Sequence, residues 1–165
     1  MNRDNLEKLA DLLETVVPPP EFHMTSYIRD SKGYNVLPED FELEQYQECG
    51  TVACACGHGP MAGIPVKKSD DNWAKYSERV FDLESWSIAW DFLFHPYWVG
   101  TDNTPKGAAA RIRLMLDQGS QSENVVRPVG DHPQWLDNAA YLERLQNFRE
   151  KYASDIAPYF VKQEV

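Results

Sequence analysis

Apolar residues first recur at helical spacing at Leu6, Leu9, Leu12, Leu13 and Val16, and Pro18-Pro19-Pro20 stops the pattern. Intervals of three and four place them on one face of a helix capped by Asp4 or Asn5. Over residues 21–48 the period is lost. Phe22, Met24, Tyr27, Ile28, Tyr34, Val36, Leu37, Phe41, Leu43 and Tyr46 are interspersed with polar residues, Gly33 and Pro38, which predicts loops, a short helical turn and room for a minor strand pair.

Thr51 is a good cap for a helix from Val52 to about Ala62, closed by Gly63 and Pro65. Its small residues suit tight burial. After the polar stretch 67–72, Trp73, Tyr76 and Val80 or Phe81 fall three and four apart, and Trp86, Ala89, Trp90, Leu93 and Phe94 follow the same rule, predicting two short helices. Thr104 as cap and Pro105 at the first helical position open another, with Ala108, Ala109, Ile112, Met115 and Leu116 on one face and Gly119 as terminator. A polar loop or hinge spans 120–130. Asp131 and Pro133 start a last helix with the face Trp135, Ala139, Leu142, Leu145, Phe148 and Tyr152, and residues 159–165 form a fraying tail. The economical architecture is one mostly α domain over 1–165, built from five to six helices.

Composition supports a globular chain: 165 residues, 42% hydrophobic and 25% charged. No apolar run approaches the roughly 20 residues of a membrane helix, and no basic segment leads into an apolar one at the start. A cytoplasmic protein without disulfides is expected, since three cysteines in a reducing compartment remain thiols. The net charge of −10 changes the picture more. Phosphate binding needs clustered Lys and Arg, so direct nucleic-acid binding is not expected, whereas a basic protein partner is compatible with this charge.

Chemistry concentrates in Cys49-Gly50-Thr51-Val52-Ala53-Cys54-Ala55-Cys56-Gly57-His58, which holds every cysteine of the chain. On a helix from 52 to 62, Cys54 and His58 share a face and Cys56 points away. With Cys49 curling back, Cys49, Cys54 and His58 are candidate zinc ligands, completed by His23, His95, His132 or a carboxylate, although C-x4-C-x3-H is not a common zinc spacing. Cys49 or Cys54 with His58 is also a candidate nucleophile–base pair, the thiol being activated near a helix N-terminus. The plainer reading is packing: Thr51 caps, Gly50 and Gly57 allow close approach, and Cys54 fills a small buried space. Asp70-Asp71 and Asp40 with Glu42 read as solvated loop charges. The tryptophans read as core, except Trp98, which lies in a loop as a cover on the core or a partner contact.

The order of landmarks resembles a family of small bacterial and phage proteins of unassigned function. The resemblance runs through the leucine helix, Phe22-His23-Met24, the Cys-Gly-Thr-x-x-Cys-Ala-x-Gly segment from Cys49 to Gly57, Phe81-Asp82-Leu83, Leu93 and Phe94 ahead of Trp98, and the Thr104-Pro105 cap. It covers about residues 6–118. It implies a helical domain in a bacterial or phage setting and implies no reaction. Many members carry another residue where His58 stands, which favours the packing reading. The leading expectation is therefore a non-enzymatic, acidic accessory protein that acts through a protein partner, in concrete form a phage-encoded modulator of a host process. The alternative is a metal-bound or thiol-dependent enzyme centred on Cys49, Cys54 and His58.

Overall fold

The computed structural model describes residues 1–46, 51–85, 87–96 and 103–118. Trp86, Trp98, Cys49, Gly50, Gly119, the 120–130 loop, the helix expected from Asp131 and the tail 159–165 lie outside the described residues. The described part is mostly helical, with one small antiparallel strand pair. No helix in it is long and apolar enough to cross a membrane.

Helix α1, Arg3–Thr15, buries Leu6, Leu9, Ala10 and Leu13 as their spacing requires, while Val16 stays 58% exposed just beyond the last turn. The cap is Asn2, not Asp4 or Asn5: the Asn2 side chain accepts the Asn5 N–H at 3.2 Å, so the helix begins a turn earlier than the apolar pattern. Each buried leucine contributes about 2 kcal/mol by leaving water. Their principal partner is the C-terminal helix of the described part, numbered α5 below.

The described part of the 21–48 segment, residues 21–46, contains the anticipated loops, a strand β1 at Ile28–Arg29 and a one-turn helix α2 at Leu43–Tyr46. The strand pair is present, but its second strand lies outside that segment. Strand β2 is Val52–Ala53, pairing Ile28 with Ala53 and Arg29 with Val52. This overturns the helix expected over 52–62. Instead of a helix, the chain runs from β2 through 3-10 turns at Cys56–His58 and Pro60–Ala62 and leaves in the left-handed conformation at Gly63, φ 75°. An α-helix there would have to hold Gly57, Gly59 and Pro60, at about 1 kcal/mol for each glycine and about 3 for the proline. The segment's amides bond elsewhere: Cys54 N–H reaches Ser26 O at 2.8 Å, and Ala53 O accepts His23 N–H at 2.9 Å. Thr51 is therefore no helix cap, and its hydroxyl is buried without a hydrogen bond among the described residues.

Helices α3, Trp73–Phe81, and α4, Ile88–Phe94, form where the aromatic spacing predicts them, capped by the Asn72 and Ser87 side chains. Trp73, Tyr76, Val80 and Phe81 are buried, as are Ala89, Trp90, Leu93 and Phe94. The Trp90 indole N–H donates to Ser77 at 2.7 Å and joins the two helices. Before α3, the buried Asp70 carboxylate takes two bonds from Arg79, at 2.7 and 2.6 Å, and one from Lys67 N–H at 2.8 Å. Asp70 was expected to be a solvated loop charge; these bonds hold it in the interior and keep its pKa below the usual carboxylate value.

Helix α5, Pro105–Gln118, starts on the Thr104 cap, whose hydroxyl accepts Gly107 N–H at 3.0 Å. One apolar face was predicted, yet residues 108–112 and 114–116 are all buried. The helix is thus enclosed on nearly every side, and the small Ala108, Ala109 and Ala110 let its neighbours come close. Arg113 binds Asp11 and Glu14, the latter at 2.9 Å, and Arg3 donates to Leu116 O at 2.7 Å, fixing α1 against α5.

Candidate functional site

The turns after β2 bring the sequence's chemical residues into the core. Cys54, Cys56 and His58 are 2%, 0% and 1% exposed. Backbone contact explains the burial: His58 N–H bonds to Cys54 O at 3.1 Å, and the turn is pressed onto the carbonyl of Tyr27, which a Cβ at Gly57 would overlap. A Cβ at Gly59 would meet the Tyr76 hydroxyl of α3. Only glycine fits either position.

His58 is held by two aromatic neighbours. Its Nδ1 lies 2.7 Å from the Tyr46 hydroxyl, its ring stacks on Phe22 at 5.8 Å with planes 7° apart, and Tyr46 meets it edge-on. Nε2 is buried and makes no well-formed hydrogen bond among the described residues. Burial pulls the imidazole pKa down to about 4, against a smaller opposing pull from the backbone carbonyls of Glu21 and Ala53. The ring is neutral at pH 7. Burial also raises the Tyr46 pKa, so its hydroxyl keeps its proton while sharing a hydrogen bond with Nδ1.

The thiols are equally muted. Burial pushes Cys54 up to about 11, although the amides of Gly57, Cys56 and Cys54 itself pull the other way, and Cys56 is raised still more clearly by burial and by Cys54. Its Sγ lies 3.9 Å from Trp73 O. The alternative in which Cys54 serves as a nucleophile needed activation by a helix N-terminus, but without a helix over 52–62 that dipole is missing and burial decides the outcome. His58 shares its Nδ1 with Tyr46, and among the described residues no side-chain hydrogen bond joins it to a thiol. Both described cysteines are free thiols.

Of the remaining candidate ligands, His23 is exposed and bonds Thr25 at 2.7 Å, and His95 caps the end of α4, with burial lowering its pKa to about 4. No group of three His, Cys, Asp or Glu converges among the described residues. Cys49, Trp98 and His132 lie outside them.

Two contributors escaped the sequence reading. Tyr46, at the end of α2, was grouped with apolar anchors, and nothing local tied it to His58. Asp91 carried a signal: it interrupts the apolar run Ile88-Ala89-Trp90-Asp91-Phe92-Leu93-Phe94. Burial raises its pKa to about 6, its Oδ1 has no hydrogen bond among the described residues, and its charge acts on the phenol of Tyr27.

No protein-family model, curated protein or solved structure matches the chain.

Proposed function

We propose that the protein is a non-enzymatic, acidic accessory protein that works by binding a protein partner. One observation carries the reading: Cys54, Cys56 and His58 sit in the core in their uncharged, least reactive forms. A thiol nucleophile or zinc ligand needs the thiolate, and a general base needs an accessible lone pair near a substrate. The net charge of −10 leaves the surface as the feature with a clear chemical preference, and that preference is for cations. The resemblance of residues 6–118 to small bacterial and phage proteins gives the proposal its concrete form, a phage-encoded modulator of a host process in the host cytoplasm.

The test is affinity capture from bacterial lysate with the immobilised full chain at about 50 mM salt, followed by a wash at about 500 mM, which shortens the reach of surface charge several-fold. The expected result is one protein retained in repeated experiments and released by the wash. Repeated failure to retain any protein at low salt would overturn the proposal.

A further inference from the structure

We draw no further inference here: the strongest candidate, the side-chain cluster in which the carboxyl of Asp91 on α4 acts on the phenol of Tyr27 just ahead of β1, is one acidic group for which nothing among the described residues shows what it would hold.

Discussion

The hydroxyl of Tyr46 and Nδ1 of His58 share a hydrogen bond of 2.7 Å that joins helix α2 to the turn that follows β2. Both rings are buried, so a lost partner leaves a polar atom that water cannot reach. Tyr46→Phe should lower unfolding free energy by about 1–2 kcal/mol, and His58→Ala by about 3 because stacking on Phe22 is lost as well. Urea unfolding of the two variants checks the order, and an unchanged midpoint for Tyr46→Phe would rule out a stabilising bond.

The imidazole of His58 also makes stability depend on pH. Its folded pKa, about 4, lies below the unfolded value near 6.5, so the unfolded chain binds the proton first as pH falls. Its contribution is complete above about pH 6.5 and is lost between there and about pH 4, a change of about 3 kcal/mol. His95, lowered to about 4 as well, adds in the same direction. His58→Gln should flatten the acid limb of a stability–pH curve, and a limb of unchanged slope would contradict a buried neutral imidazole.

Asp91 acts with the opposite sign. Burial raises its pKa to about 6, so the fold keeps a proton that the unfolded chain releases near 3.8, and stability falls as pH rises between those values. Asp91→Asn removes that penalty. It should stabilise the protein by about 1–2 kcal/mol at pH 7, allowing for partial solvent screening, and steepen the histidine-driven acid limb. Denaturant titrations at pH 5 and pH 7 compare the two effects, and a loss of stability at pH 7 would show that the charge has a partner.

Gly57 and Gly63 are both required, for different reasons. A side chain at Gly57 meets the Tyr27 backbone carbonyl, which cannot swing away, whereas Gly63 has open space around it and a φ of 75°. Gly57→Ala should cost roughly 3 kcal/mol or more and disturb β1, while Gly63→Ala should cost about 1. Equal melting points for the two variants would mean that the turn does not sit against Tyr27.

Burial predicts silent thiols. In a Cys49→Ser background, which leaves Cys54 and Cys56, a thiol reagent at pH 8 should label neither residue until denaturant is added, then both. Labelling of one thiol in the native protein would reopen a reactive role. Elemental analysis of the unmodified chain is the companion measurement, with stoichiometric zinc the result that would restore the metal reading.

Much of the helical framework was legible because it rests on local rules. The leucine spacing of α1, the aromatic spacing of α3 and α4 and the Thr104-Pro105 start of α5 each place apolar residues on one face or satisfy a terminal amide, and neither requires knowledge of a distant residue. The segment 51–62 was misread because the same small residues that permit close packing in a helix also permit a strand followed by 3-10 turns. What separated the two was Ser26, Tyr27 and His23, whose backbones bond to Ala53 and Cys54 from about thirty residues away.

The amino-acid sequence by itself determined the helical class, the main helix faces, the negative charge and the gathering of thiols and imidazole in one segment. Tertiary structure decided the state of those groups. Burial removed water from Cys54, Cys56, His58 and Asp91 and shifted each toward its uncharged form, while Tyr46 occupied one nitrogen of the His58 imidazole. Protonation depends on the surrounding dielectric and on neighbours brought close only by folding, which residue order does not specify.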